Sequence, residues 1–338
     1  MVKHPDGYLL VSMDLYASGY PQNLTLIYRS DDDGKSRYYV SELMPCFLGK
    51  LFIHRGELYM LSCSTEYGDL LIGKSCDGGK SFNAPVTLLR GSNGKNGNTG
   101  AHKNPQNIVR YNGRLYETLE WGSWANTEFS HAAMVMSCDE NDDLLVPENW
   151  SFSEPKIFSP DFFGETENFP TLSATIEGTL AIAPNGDLLN VMRFHNDCGR
   201  ALVYKINADN PQAPLEYLKC IDFPCHMSKF MIKYDSVSGK YYSIADRIYD
   251  KSNLWARNLL SLMVSEDFEN WRVLRDLYDR RDLDARLVGF QYVDFDFDGD
   301  DIIFACRTAQ NGAHSFHDSN YSTFDRVKNF RELKLTEN

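Results

Sequence analysis

No stretch of the 338-residue chain approaches roughly 18 apolar residues, so no helix is expected to cross a bilayer. Basic runs are equally missing. The net charge is −13 with both signs interspersed, which argues against nucleic acid or a polyanionic membrane surface as a partner. Cysteine is scarce and unpatterned. The eight residues Cys46, Cys63, Cys76, Cys138, Cys198, Cys220, Cys225 and Cys306 include no CxxC and no zinc-ribbon spacing. They read as buried free thiols of a reducing compartment rather than a disulfide framework. The N-terminal segment is not a secretory signal, which together with the thiols favours a cytoplasmic location unless a signal has been removed. Neither a metal nor an organic cofactor is implied, and nothing indicates an oligomeric state. Strong helical periodicity is absent.

What the sequence does have is a repeat. An apolar segment, a tight glycine turn and a second apolar segment recur as "VKHPDGYLLVSMDL" (2–15), "LFIHRGELYMLSC" (51–63), "IVRYNGRLYETLEW" (108–121), "AIAPNGDLLNVMRF" (181–194), "IKYDSVSGKYYSIADR" (232–247) and "DFDFDGDDIIFACRT" (294–308). Asn-Gly and Asp-Gly between apolar runs signal hairpins, because both turn positions need φ > 0. A third apolar strand follows each hairpin, and a fourth is readable in most units. Length alone suggests two domains. The repeat instead predicts one all-β domain over 1–338, a six-bladed β-propeller of four-stranded antiparallel blades starting near 2, 47, 102, 177, 227 and 289.

The turn after the third strand carries its own pattern. "SCDGGKSF" (75–82) and "SDDDGKSR" (30–37) occupy matching places, "SEDFENW" (265–271) is a decayed copy, and "SCD" (137–139) a remnant. Ser and Asp side chains can bond the turn backbone and Gly permits φ > 0, so Asp77 reads as a turn-former. These turns share one face with the hairpin turns. Chemistry is expected on the opposite face, where the longer, charged segments converge.

Candidates on that face are Glu120 with Trp121, Arg193 with His195, Asp246 with Arg247, and Arg307 at the ends of second strands. His102, Glu177, His226, Gln291 and Tyr292 stand at the starts of first strands, and His314, His317 and Asp318 lie in the loop 311–321. Paired carboxylates can act at a glycosidic carbon, and arginine forks bind carboxylates bidentately. Simpler readings stand beside these. The arginines could form structural ion pairs with Glu177 and Asp246. The loop histidines could anchor Asp318, which the lack of compact metal spacing favours over a metal cluster. Trp121 and Trp124 could stack a sugar or only pack blades. The acidic run 294–301 reads as a solvated hairpin.

The S-x-D-x-G-x-[ST]-[WF] turns, the Asp-box pattern, together with the six-fold hairpin repeat resemble the sialidase (neuraminidase) superfamily, known for BNR/Asp-box repeats, over essentially the whole chain. That resemblance implies an arginine triad for a substrate carboxylate, a tyrosine nucleophile paired with a glutamate, and an aspartate acid/base. Glu177 and Arg193 match the placement of the family's glutamate and second arginine, and Arg247 that of the third. The Arg-Ile-Pro motif of the first arginine is missing, "MPCFLGKLF" (44–52) has no acid/base carboxylate, and Phe290 stands near the nucleophile's place with Tyr292 two residues on. "GAHKNPQNIVRYNGRLYETLEWG" (100–122), "DLLVPENWSFS" (143–153), "GFQYVDF" (289–295) and "HDSNYSTFDRVKNFR" (317–331) are similar to segments of uncharacterised bacterial propellers of exo-sialidase-like or glycosyl-hydrolase-like type. His102, Glu177 and Arg193 also fall where propeller ulvan lyases and rhamnosidases place a histidine and a Tyr/Arg pair.

The expected function is an exo-acting glycoside hydrolase on an acidic or hydroxyl-rich sugar, distinct from a conventional sialidase. Its ligand is an oligosaccharide or polysaccharide-derived sugar. Glu177 and Glu120 are the expected working carboxylates, with His102 and Tyr292 in proton transfer or catalysis. Arg193, Arg247, Arg307, Trp121, His195, Gln291 and His317 are expected to bind substrate. The alternatives are a polysaccharide lyase acting on a uronate, or a propeller that binds glycans without turnover.

Overall fold

Short apolar strands separated by turn chemistry give an all-β chain of antiparallel sheets. The computed structural model describes residues 1–16, 21–126, 128–163, 175–195 and 199–335. Six sheets, the blades of a six-bladed β-propeller, follow one another along the chain, each ordered as its strands occur in sequence. Their first strands begin at Val2, Phe47, Gly100, Thr175, Ile232 and Gly289. Blades 1, 2, 4 and 5 have four strands each. The sixth has three among the described residues, Gly289–Asp298, Asp301–Ala309 and Tyr321–Val327. The chain packs as two compact units. Met1–Ser159 with Asn207–Leu215 contains blades 1–3, and Pro160–Ile206 with Glu216–Asn338 contains blades 4–6.

The hairpin turns follow the sequence. In blade 3, Asn112 and Gly113 adopt φ of 48° and 74°, so Val109–Tyr111 turns tightly into Arg114–Gly122. The Ser-x-Asp turns are also built as the side chains suggest. The Ser75 hydroxyl accepts from Gly79 N–H at 2.9 Å, and Asp77 accepts from the Ser81 N–H and hydroxyl at 2.9 and 2.6 Å. Ser30, Asp32, Gly34 and Ser36 repeat this pattern in blade 1. In blade 5, Asp267 accepts from the Asn270 N–H at 2.7 Å. Asp77 is thus occupied by its turn, and these bonds hold its carboxyl down at about 2.

The first strands deviate from regular pairing, and these deviations position the site. Those of blades 2, 4 and 6 contain bulges at Phe47/Lys50, Ile176/Thr179 and Gln291/Asp294. One residue in each takes a left-handed conformation: Leu48, Glu177 and Tyr292, with φ of 49°, 57° and 54°. Blade 3 is interrupted instead. Gly100–His102 and Val109–Tyr111 both pair with Arg114–Gly122. In blade 5 a single bridge, Cys225 to Arg247, precedes Ile232–Asp235. A buried lysine from each interrupted segment reaches a bulge carbonyl: Lys103 Nζ donates to Leu48 O at 3.3 Å, and Lys229 Nζ to Val293 O at 3.0 Å.

Between blades 5 and 6 the core is apolar, with Ile244, Leu260, Leu262, Val293, Phe295 and Phe304 among its members. Phe290 belongs to this core and its ring lies 5.0 Å from that of Tyr278, so it is a packing residue. The acidic run 294–301 is ion-paired rather than merely solvated. Arg326 meets Asp298 and Asp301 at 2.8 and 3.0 Å, and Lys233 meets Asp296 at 3.0 Å. Seven cysteines are free thiols, and Cys198 lies outside the described residues.

Arg331, near the C-terminal end of the described chain, grips Asp235 in the blade 5 hairpin with a two-pronged bond, Nε to Oδ2 at 2.7 Å and Nη2 to Oδ1 at 2.8 Å. This bond is the first cause of a carboxyl held far below the usual range. A depressed carboxylate stabilises the fold above its unfolded pKa of about 3.9, and that contribution is lost as pH falls through the folded value. Arg331→Ala is expected to cost about 2 kcal/mol in urea unfolding at neutral pH, with the difference from wild type shrinking in acid. An unchanged midpoint at neutral pH would contradict the anchoring role.

Candidate functional site

In the second unit, the bulges of blades 4 and 6 bring Glu177 and Tyr292 into direct contact. The Tyr292 hydroxyl donates to Glu177 Oε1, and Arg193 Nη1 donates to Glu177 Oε2 at 2.5 Å. Both acceptor atoms of a carboxylate only 1% exposed are thereby used. Arg193 lies across the hairpin from Glu177 because its strand Leu188–Phe194 pairs Arg193 with Ile176. Its Nη2 meets His195 Nδ1 at 3.0 Å. The Arg307 guanidinium lies 4.2 Å from the centre of the Tyr292 ring. Arg257, fully buried, donates Nη1 to Gln291 Oε1 and Nη2 to Met227 O at 2.9 Å. The half-exposed indole of Trp255 is 5.8 Å from both the Arg193 and the Arg257 guanidinium.

Burial and charge set the protonation of this cluster. The Tyr292 phenol is pushed up by burial and by Glu177 against the pull of the arginines, so it is a neutral hydroxyl at ordinary pH. Burial and then Arg193 hold His195 down at about 3. His317 is lowered by burial and Arg307. Arg257 is lowered to about 10 by burial and Arg193. The histidines are therefore neutral beside three guanidinium cations.

Other expected residues are placed differently. Arg247 was expected beside Arg193, but its Nη2 pairs with Asp276 at 2.8 Å, and it is Arg257 that is electrostatically coupled to Arg193. Gln291 has a scaffolding contact, donating Nε2 to Phe316 O and to His317 O at 3.0 Å. His314 and His317 both bond Asp318 at 2.8 Å, as loop anchors do. Among the described residues no cluster of three His, Cys, Asp or Glu is arranged to hold a metal ion.

Glu120 and His102 belong to the first unit. Glu120, fully buried, meets His102 Nδ1 at 2.7 Å across the pairing of Gly100–His102 with Arg114–Gly122. Beside them the Tyr67 hydroxyl meets His131 Nε2 at 2.9 Å, and the two histidine rings are 5.0 Å apart, edge to face. Tyr67 and His131 have φ of 57° and 60°, uncommon for bulky residues. The chain closes tightly around them: a Cβ at Gly100 would stand 1.7 Å from the Tyr67 carbonyl oxygen. Trp124 packs against His131 with centroids 4.2 Å apart and donates its indole N–H to Glu66 at 3.3 Å. Trp121 is half-buried in its strand. The same unit has an open cavity of about 500 Å³ lined by Tyr8, Arg29, Cys76, Asp77 and Lys80, but Arg29 is already paired with Asp31 and Asp77 with its turn.

Reading from strand ends alone missed Arg257, Trp255, Tyr67 and His131. Trp255 and Arg257 share the segment "NLWARN" between the second and third strands of blade 5, and Tyr67 and His131 stand in corresponding loops. Buried-type and aromatic residues concentrated in second-to-third-strand loops were the available signal.

Neither a protein-family model nor a curated protein sequence matches this chain. Solved structures do. An α-L-arabinofuranosidase from Fusarium graminearum, in complex with an iminosugar inhibitor, is 14% identical with a TM-score of 0.64, over 98% of this chain and 92% of its own. An ulvan lyase of a polysaccharide lyase family is 12% identical with a TM-score of 0.56, over 97% and 78%. Trypanosoma rangeli sialidase, in complex with sialic acid, is 16% identical with a TM-score of 0.61, over 92% and 51%. At these identities the likeness is one of fold.

Proposed function

We propose that the protein is a carbohydrate-active enzyme, an exo-acting glycoside hydrolase for an acidic sugar, with Tyr292 as nucleophile. The observation that carries this reading is the Tyr292 hydroxyl donated to Glu177, whose other oxygen is held by Arg193. Glu177 takes the phenolic proton as the Tyr292 oxygen attacks the anomeric carbon and the glycosidic bond breaks, the leaving oxygen taking its proton from solvent. Water then attacks the same carbon, the bond to the Tyr292 oxygen breaks, Glu177 gives its proton back to Tyr292 and the water's proton goes to solvent, so two displacements retain the anomeric configuration. Arg193, Arg257 and Arg307 place positive charge around the phenol, suited to a sugar carboxylate, and the exposed Trp255 face can stack a ring. A neutral phenol approaches an anionic sugar without the repulsion a carboxylate nucleophile would meet. The solved structures that share this fold include hydrolases of sugars, which supports the class.

The test is hydrolysis of a panel of aryl glycosides of uronic acids, sialic acid and arabinofuranose. Tyr292→Phe and Glu177→Gln are each expected to lower kcat/KM by about 10²–10⁴-fold on the substrate that turns over, while Arg247→Ala, at the Asp276 pair, has a much smaller effect. Wild-type turnover by Tyr292→Phe would sink the assignment. Glycan binding that survives Glu177→Gln, with no turnover by wild type, would point to a binding propeller.

A second reading is a uronate lyase, favoured by the Glu120–His102 pair. A histidine oriented by a carboxylate is built to abstract a proton. It predicts a product with the ultraviolet absorbance of an unsaturated uronate, lost in His102→Ala. Hydrolysis gives no such product.

A further inference from the structure

We propose that Asp246 is the buried counter-charge that Arg193 and Arg257 exchange for the anionic group of a bound sugar. The inference rests on reading this cluster as a sugar site, and it assigns a positioning role to a residue outside the Tyr292–Glu177 pair. Asp246 ends the strand Lys240–Asp246 and is 1% exposed. Its Oδ2 accepts the Ser228 hydroxyl at 2.6 Å. Its Oδ1 has no hydrogen-bond partner, and neither has Nε of Arg193 or of Arg257. Buried polar atoms are rarely left unmatched, and three of them in one set of coupled charges mark unspent bonding capacity.

The groups electrostatically coupled to Asp246 come from several elements: Arg193 from blade 4, Arg257 from the loop after its own strand, Cys225 before the first strand of its blade, Tyr249 just beyond its strand, and Cys306 from blade 6. Burial pushes both thiols and the Tyr249 phenol up, so they stay neutral at ordinary pH. His226, whose backbone N–H donates to Asp246 O at 2.8 Å, is held down at about 4 by burial and is also neutral. Asp246 differs from all of these. Burial lifts its carboxyl to about 7, against the pull of the Ser228 bond and then of Arg257 and Arg193.

Among the described residues, the cations Arg193, Arg257 and Arg307 and the anion Glu177 act on Tyr292, and Arg193 and Arg257 also act on Asp246, so protonation of Asp246 removes one negative charge from their surroundings. An anion seated on Arg193 and Arg257 supplies the charge that Asp246 gave. Two negative groups then compete for the same cations, the Asp246 carboxylate becomes the less favoured form, and it takes a proton from solvent. Binding and protonation are thus linked, and affinity for an anionic sugar falls as pH rises above the free carboxyl's value, by up to about tenfold per pH unit for one proton.

The experiment is calorimetry of the full chain with D-glucuronate, and with D-glucose as the uncharged control, from about pH 6 to pH 9 in buffers of different ionisation enthalpy. Wild type is expected to take up a proton fraction on binding glucuronate, with affinity weakening above about pH 7. Asp246→Asn is expected to bind with no proton uptake and a flat pH profile. Ser228→Ala removes a bond that favours the charged carboxylate, so it moves the falling limb to higher pH, and it tests the inference even if the first variant folds poorly. Proton uptake unchanged in Asp246→Asn, a flat wild-type profile, or no glucuronate binding would overturn the proposal. Proton-linked glucuronate binding without hydrolysis of any glycoside would uphold it while removing the hydrolase reading.

Discussion

The second unit's site depends on one bond network, a phenol and a guanidinium sharing the Glu177 carboxylate. It exists only because two first strands leave regular pairing. In an unbroken strand, successive side chains alternate between faces, and residues two apart are equivalent. The bulges at Ile176/Thr179 and Gln291/Asp294 break that alternation and put Glu177 and Tyr292 in a left-handed backbone that ordinary residues avoid. Each such residue costs on the order of 1–3 kcal/mol, and the surroundings must over-determine it. The buried Lys229, donating to the carbonyl of Val293 next to Tyr292, is one visible support.

Electrostatics then constrains what the network can do. A carboxylate as buried as Glu177 needs partners for both oxygens, and Tyr292 and Arg193 provide them. Arg257 and Arg307 add positive charge that Glu177 alone does not offset. The surrounding imidazoles do not contribute, because burial and neighbouring cations keep His195 and His317 neutral. Among the described residues, three guanidinium cations thus surround a neutral hydroxyl. That arrangement is the ground for proposing a ligand that brings its own negative charge, with Asp246 as the group that answers it.

Much of the architecture was legible in the chain because hairpin turns and Ser-x-Asp turns are local devices. Asn112-Gly113 and Ser75-x-Asp77 specify their own backbone, and six such hairpins in register count the blades. The partner of Glu177 was legible on the same ground: Arg193 stands across one hairpin. Tyr292 was harder, since strict alternation makes it equivalent to Phe290, and only the bulge separates a core phenylalanine from a site tyrosine. Arg257 was not legible from strand ends, because its position depends on how the blade 5 loop folds back onto Met227 and Gln291. Arg247 was misplaced for a related reason: a residue at a strand end has two directions to go, and Asp276 on the fourth strand of the same blade captured it.

The repeat itself shows why the chemistry is uneven around the blades. Bulges occupy the same strand position in blades 2, 4 and 6, so the left-handed residue is a feature of the blade and not of catalysis. In blade 2 that residue is Leu48, whose N–H donates to Asp14 at 3.1 Å and whose carbonyl is taken by Lys103. A bulge whose backbone is satisfied in this way can carry an apolar side chain and serve only as structure. Glu177 and Tyr292 differ from Leu48 in side chain and not in backbone conformation. The proposed site thus places ionisable groups on a left-handed backbone that the repeat also uses for an apolar residue, with arginines beside them.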